Sequence, residues 1–204
     1  MSNLIITIIS IALVAVVALM AVWYGGSAFT NASANAQANT MVVQAEQIAN
    51  AIRLWSSDNG GVQDLAGSRG NQCRLNSGPL ATALINGQYL QSIPGQNFHS
   101  SLCNSTPMVP GAWTISQGDG DCNATPFKIL IAAFGNNASL QSACGFPTTD
   151  YRSVCNAINK IQGVTTIPNN TSWNVLLSTL GKYTFICEEN YSFPGMFYFV
   201  YRVF

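Results

Sequence analysis

The first side chain charged at neutral pH is Glu46, so 45 residues pass without an acidic or basic side chain. Inside this stretch, the run from Leu4 to Tyr24 is apolar except for Thr7 and Ser10. As an α-helix rising ~1.5 Å per residue, these 21 residues would span roughly 30 Å, the thickness of the hydrocarbon core of a bilayer. The run is therefore long enough to cross a membrane.

A helical pattern continues beyond the apolar run. Residues 27–39 are small and polar, and an apolar stripe follows them. The stripe consists of Met41, Ala45, Ile48, Ile52 and Trp55, which are successively 4, 3, 4 and 3 residues apart. This spacing places all five side chains on one face of an α-helix. We therefore predict that the helix carries on to about residue 57 with an amphipathic second half.

The same helix has a predicted end and one predicted weak point. Residues 58–61 read Asp-Asn-Gly-Gly, and asparagine and glycine readily adopt the left-handed backbone that ends helices. Gly25 and Gly26 each cost about 1 kcal/mol of helix propensity, so any break should lie there. The expected organisation is a helix over residues 1–57 and a globular head over residues 58–204. Within the helix, residues 1–25 would be the transmembrane or filament-core part and residues 26–57 the amphipathic part.

The apolar run has three other interpretations. A cleaved secretory signal would have a basic first region and a shorter apolar core. A plain single-span anchor normally carries flanking Lys or Arg, and none occurs in the first fifty residues. A buried core helix would need a larger core than a head of about 140 residues can supply. The helix therefore needs either lipid or copies of itself to cover it.

Charge and cysteine content narrow the classes of function. Only 8% of the residues are charged and the formal net charge is zero, so nothing favours binding to nucleic acid or acidic lipid. Six cysteines all follow the apolar run, which favours three disulfides in an oxidising compartment. There is no C-x-x-C pair and His99 is the only histidine, so no metal site is predicted.

The rest of the chain predicts an α+β head with an antiparallel sheet. Helices are expected over residues 79–89 and 149–162, with a further turn over 173–180, and strands over 112–117, 127–134, 182–188 and 195–204. The second of these helices has an apolar stripe formed by Tyr151, Val154, Ile158 and Ile161. The last strand is apolar on both faces, which predicts a central position in the sheet with helix on one side.

No motif favours catalysis. His99 precedes Ser100 and Ser101 without a G-x-S-x-G sequence, and an exposed loop histidine is the simpler interpretation. Asp119 and Asp121 resemble a fragment of a calcium loop but lack the later bidentate acid. The neighbouring Glu188 and Glu189 would point to opposite faces of a strand. We therefore predict no enzyme activity, no catalytic residue and no cofactor.

The order of elements resembles the type IV pilins. The segments F-K-I-L-I-A-A-F-G and T-D-Y-R-S-V-C-N-A-I-N-K-I are similar to the strand and the cysteine-bearing helix of the type IVb pilins, the toxin-coregulated and bundle-forming kind. A methionine at position 1 also suits that class. In those proteins the helix cysteine pairs with one just before the final strand, which implies a Cys155–Cys187 bond here. For the other four, closeness along the chain favours Cys73–Cys103 and Cys122–Cys144, although three pairings are open.

The resemblance implies a type IV pilin fold and a structural role. The chain would be a subunit of an extracellular pilus that supports adhesion, aggregation, motility or DNA transfer. Before assembly it would reside in the inner membrane, where a prepilin peptidase would process it. The pilus assembly machinery would then polymerise it with copies of itself. The side chains expected in the filament core are Met1, Leu4, Ile5, Ile8, Ile11, Val14 and Leu19.

One position departs from the pilin pattern. Most pilins carry a glutamate where this chain has Ile5, and that carboxylate offsets the N-terminal amine of a neighbouring subunit. In this chain Ser2, Asn3, Thr7 or Ser10, or nearby carbonyls, would have to solvate the amine. Minor pilins and secretion pseudopilins that prime or cap a fibre can also lack the glutamate, so they form the first alternative. A membrane-anchored exported binding domain that never polymerises is the second.

Overall fold

A computed structural model of the chain describes residues 2–61, 79–94, 113–116, 129–135, 151–170, 180–190 and 195–204. The helices in this part of the chain are α1 (Ser2–Asp58), α2 (Pro79–Asn86) and α3 (Tyr151–Ile161). The strands are β1 (Trp113–Ser116), β2 (Ile129–Gly135), β3 (Asn169–Asn170), β4 (Phe185–Asn190) and β5 (Met196–Arg202). The described chain therefore has the α+β layout that the sequence predicts.

Helix α1 runs without interruption through the predicted weak point. A Cβ atom added at Gly25 or Gly26 would meet nothing within 4 Å, so both glycines lie on an open helix surface. The helix ends where the sequence predicts: Gly60 and Gly61 have φ angles of 75° and 80°. The amide of Gly61 donates to the Ser56 carbonyl at 2.8 Å, which satisfies one of the last helix carbonyls.

The apolar stripe in the second half of α1 packs against the head. All five members of the predicted stripe are buried, the last being Trp55 at 6% exposure. Ala34 and Ala38 extend the buried stripe by two turns towards the N-terminus. Helix α3 packs against this side of α1, and α2 and β5 also contact α1. The predicted stripe of α3 is correct for Tyr151, Val154 and Ile158, but Ile161 is 49% exposed, because it lies in the last turn, past the part of α3 that the described elements cover.

The sheet has the order β1-β2-β5-β4-β3, with β5 at its centre as predicted. The pairings of β1 with β2, β2 with β5 and β4 with β5 are antiparallel, whereas β3 pairs parallel to β4. This parallel edge departs from the expected antiparallel sheet, and the two asparagines of β3 carry no strand signature. In β5, Phe197 and Phe199 belong to the core with the helices, and Tyr198 and Val200 are buried on the opposite face. The predicted turn over 173–180 lies almost wholly outside the described residues.

A disulfide joins α3 to β4. The structure links Cys155 to Cys187 with 5.3 Å between their Cα atoms, and both residues are fully buried. Closing a loop of this length is worth roughly 3 to 4 kcal/mol in the chain-entropy model. Asn159, one turn along α3, adds a second link, because its side chain donates to the carbonyl and accepts from the amide of Cys187, both at 2.8 Å.

Replacing Asn159 by alanine should lower the free energy of unfolding by about 2 kcal/mol, because two buried backbone groups of Cys187 would lose their partners. The measurement is denaturant unfolding of the full chain in detergent. Asn156→Ala is the matched control, since Asn156 is exposed on the same helix. Equal effects of the two substitutions would contradict this role for Asn159.

The remaining cysteines, Cys73, Cys103, Cys122 and Cys144, lie outside the described residues, so their pairing stays a prediction. We expect all six cysteines to be oxidised. Alkylation of the denatured chain without reduction, followed by mass spectrometry, should then add no label. A labelled cysteine at any position would show that the expectation of three disulfides is wrong.

Candidate assembly surface

The described part of the head leaves the first half of α1 uncovered. From Leu4 to Ala32 every side chain that the structure describes is exposed, and we call residues 4–32 the bare segment. By length and composition α1 is the one helix among the described residues that is able to cross a membrane, a property that signal sequences near an N-terminus share. At ~1.5 Å per residue the bare segment extends roughly 43 Å beyond the first buried residue, Ala34.

The predicted filament-core side chains lie on this segment. Six of them are between 58% and 72% exposed, namely Leu4, Ile5, Ile8, Ile11, Val14 and Leu19. Met1 lies outside the described residues. Burying one large aliphatic side chain is worth ~1.5 to 3 kcal/mol, so a surface of this size is strongly unfavourable in water. The bare segment therefore requires lipid or protein around it.

The hydroxyl groups of this segment are compatible with such a cover. Ser10 donates its hydroxyl to the Ile6 carbonyl, and Thr30 donates to the Ser27 carbonyl, each at 2.9 Å. Because these donors are satisfied by the helix's own backbone, their burial does not leave an unpaired group. No charged side chain interrupts the segment. Its surface is therefore neutral, and the hydroxyl groups of Ser10 and Thr30 are bonded within the helix.

Polar contacts fix the head on the other half of α1. The Arg53 guanidinium donates to the carbonyl of Val203 at 2.6 Å and to that of Arg202 at 3.3 Å, which holds the last residues of the chain against α1. At the end of the helix, Tyr89 donates its hydroxyl to Asp58 at 2.9 Å, and this bond raises the pKa of Tyr89. The sequence did not reveal these contacts, because Arg53 and Val203 are 150 positions apart.

The two adjacent glutamates of β4 lie in different environments, as their strand positions predict. Glu189 accepts from Arg152 of α3 at 2.7 Å, and the Arg152 guanidinium also lies 5.6 Å from the centre of the Phe197 ring. Glu188 is fully buried on the opposite side, and neither of its carboxylate oxygens has a hydrogen-bond partner among the described residues. Burial raises the pKa of Glu188 to about 7. Sequence reasoning missed this buried acid.

The other residues considered for chemistry are placed only in part. His99, Asp119 and Asp121 lie outside the described residues. Within the described ranges, no three His, Cys, Asp or Glu side chains come together as metal ligands. Among the described residues, the bare segment is the feature that calls for a binding partner, because its large apolar side chains are exposed.

Comparison of the chain with protein-family models, with curated proteins and with solved structures gives no match. The described features are a long apolar N-terminal helix, a small sheet with mainly antiparallel pairing, and the Cys155–Cys187 disulfide. Any function has to account for a folded head that is fixed to one half of a helix whose other half is bare.

Proposed function

We propose that the chain is a structural subunit of an extracellular filament of the type IV pilus kind. It polymerises through the bare segment of α1, and the heads form the outer surface. The observation that carries this proposal is the division of α1 at Ala34: the head covers one face of the helix from there onward, whereas every described side chain of residues 4–32 is exposed.

A filament accounts for this division better than a compact monomer does. Bare segments that pack together remove their aliphatic side chains from water, and several contacts worth ~1.5 to 3 kcal/mol each exceed the cost of ordering one helix. Helix α1 has no break between its halves, so the position of the bare segment determines the position of the head. Packing of the helices would therefore also order the heads around the filament.

Before assembly, the same segment would lie in the inner membrane. The apolar run from Leu4 to Tyr24, which makes up most of the segment, matches the hydrocarbon core of a bilayer in length, and the segment carries no charge. Trp23, 82% exposed near the end of the apolar run, is the kind of residue enriched at the interface between lipid and water. The disulfide in the head suits an oxidising compartment outside the membrane. A prepilin peptidase and the pilus assembly machinery are the partners that this route would require.

A minor pilin or pseudopilin is the second candidate, and Ile5 is the observation that favours it. In the pilins that the chain resembles, a glutamate at this position offsets the N-terminal amine of a neighbouring subunit. A subunit present once or a few times per fibre would not repeat an uncompensated amine along the whole filament. A membrane-anchored binding domain is the third candidate, because a bilayer alone would also cover the bare segment.

Electron microscopy of sheared surface filaments, with mass spectrometry of their subunits, tests the proposal. A filament built mainly from this chain at a regular helical repeat is the expected result. Detection only in trace amounts at filament ends would favour the minor subunit instead. A chain that stays monomeric in detergent and in membranes, with no contact between α1 helices, would contradict assembly altogether.

A further inference from the structure

The uncharged surface of α1 extends well past the apolar run. The 21 residues from Gly25 to Ala45 carry no charge, although an average protein segment of that length has about five charged residues. Part of this stretch faces the head, but most of it is exposed. Lipid does not explain the lack of charge here, because these residues follow the 21-residue apolar run that already matches the bilayer.

Three exposed asparagines form a row on this stretch. Asn31, Asn35 and Asn39 are spaced four residues apart, so they follow one flank of α1 beside the buried Ala34 and Ala38. Asparagine is a poor residue for a helix interior, because its side chain competes for the backbone. A row of three therefore suggests a role other than helix formation.

The amides in this row are available to a partner, unlike the nearby hydroxyls. Thr40 donates to the Ala36 carbonyl at 2.9 Å, and Thr30 is bonded to its own helix in the same way. No hydrogen bond joins the side chain of Asn31, Asn35 or Asn39 to any other part of the chain that the structure describes. Each amide offers two donors and an acceptor oxygen, so a row of amides is complementary to a second copy of itself.

We propose that the contact between copies continues along α1 beyond the bare segment to about Ala45. In that contact, the amide row formed by Asn31, Asn35 and Asn39 bonds to α1 of a second copy and sets the axial register. The inference rests on the proposed filament and identifies how its subunits align. Apolar side chains alone tolerate sliding, whereas a polar amide in a helical interface selects one register at some cost in stability.

The spacing of the amide row also predicts how far one subunit moves along the filament axis when it pairs in the wrong register. Amides four residues apart lie ~6 Å apart along the axis, so a slip by one position shifts the subunit by ~6 Å and leaves amides at the ends of the row without partners. A chain without the row should still polymerise through the bare segment. Its subunits, however, should occupy more than one axial position.

The test compares filaments of the full-length chain with those of two triple variants. With alanine at positions 31, 35 and 39, we expect filaments whose images divide into classes with different axial rise, separated by ~6 Å or a multiple of it. With aspartate at the same positions, we expect loss of filaments, because carboxylates cannot pair with one another. Gln47→Ala is the matched control, since Gln47 is an exposed amide on the same helix beyond Glu46.

Filaments of the alanine variant with one rise, equal to that of the wild type, would overturn the inference while leaving the proposed filament intact. The same holds if the aspartate variant assembles normally, or if Gln47→Ala disturbs the rise as much as the triple variant does. A wild-type chain that forms no filaments would overturn both proposals. Unfolding of the head should be the same in all variants, because the three asparagines and Gln47 are exposed.

Discussion

A chain with aspartate in place of Ile11 or Val14 should form no filaments while its head stays folded. The two side chains are 65% and 66% exposed, so neither substitution disturbs the core of the head. In an assembled core, however, each would bury an unpaired carboxylate, at a cost of several kcal/mol per subunit. Because the cost recurs in every subunit, filaments should disappear rather than become fewer. Electron microscopy measures assembly, and denaturant unfolding in detergent measures the head.

Leu54→Asp is the matched control for this experiment. Leu54 is 55% exposed on the same helix, but it lies beyond the bare segment and beyond Glu46. We expect this variant to assemble, because its carboxylate stays in water. If filaments persisted with aspartate at Ile11 and Val14 together, the helix-core arrangement would be wrong, and contacts between heads would have to hold the polymer.

Those parts of the fold that depend on local spacing were predictable. The stripe from Met41 to Trp55 is visible in the sequence because a helix repeats every 3.6 residues, and its members are buried in the structure. The end of α1 was equally local, since the glycines of residues 58–61 favour the backbone that stops a helix. The central position of β5 followed from its two apolar faces. Each of these properties is determined by residues close together in the chain.

Contacts between distant residues could not be predicted in this way. Arg53 holds the carbonyls of residues 202 and 203, and nothing near Arg53 in the sequence indicates that partner. The pairing of β3 depends on where β4 lies, because two asparagines have no strand preference of their own. Ile161 has the right spacing for the stripe of α3, yet it is exposed, because spacing does not show where the covering elements end.

The boundary of the candidate site shows the same limit. Composition indicates that the start of α1 needs a cover, since no head of this size can bury it. Composition does not indicate at which residue of α1 the head begins to cover the helix. Ala32 and Ala36 are exposed while Ala34 and Ala38 are buried, although all four belong to one stretch of small residues. Only the three-dimensional packing of the head on α1 separates the bare segment from the covered one.

Glu188 leads to the second large effect, which is a dependence of head stability on pH. Glu188 pairs with Tyr198 of β5, and its carboxyl has no hydrogen-bond partner in the described part of the chain. Burial raises its pKa from 4.5 to about 7. Below pH 4.5 the carboxyl is protonated in both the folded and the unfolded chain. Folding then does not have to keep a proton that the unfolded chain would release, and the stability of the head is at its full value. As the pH rises towards 7, the unfolded chain releases the proton first, and about 3 kcal/mol of stability is lost.

Glu188→Gln should remove this loss, because glutamine does not ionise. The free energy of unfolding of the variant, relative to that of the wild type, should increase by about 2.5 kcal/mol between pH ~5 and pH ~8. Denaturant unfolding of both full-length chains in detergent, repeated across this range, measures the difference. The control is Glu189→Gln on the opposite face of β4, where loss of the ion pair with Arg152 should shift the curve by a constant amount. The contrary result would be two stability curves, for wild type and Glu188→Gln, that run parallel from pH ~5 to pH ~8. It would show that the Glu188 carboxyl ionises as freely in the folded head as in the unfolded chain. Burial would then not control its charge.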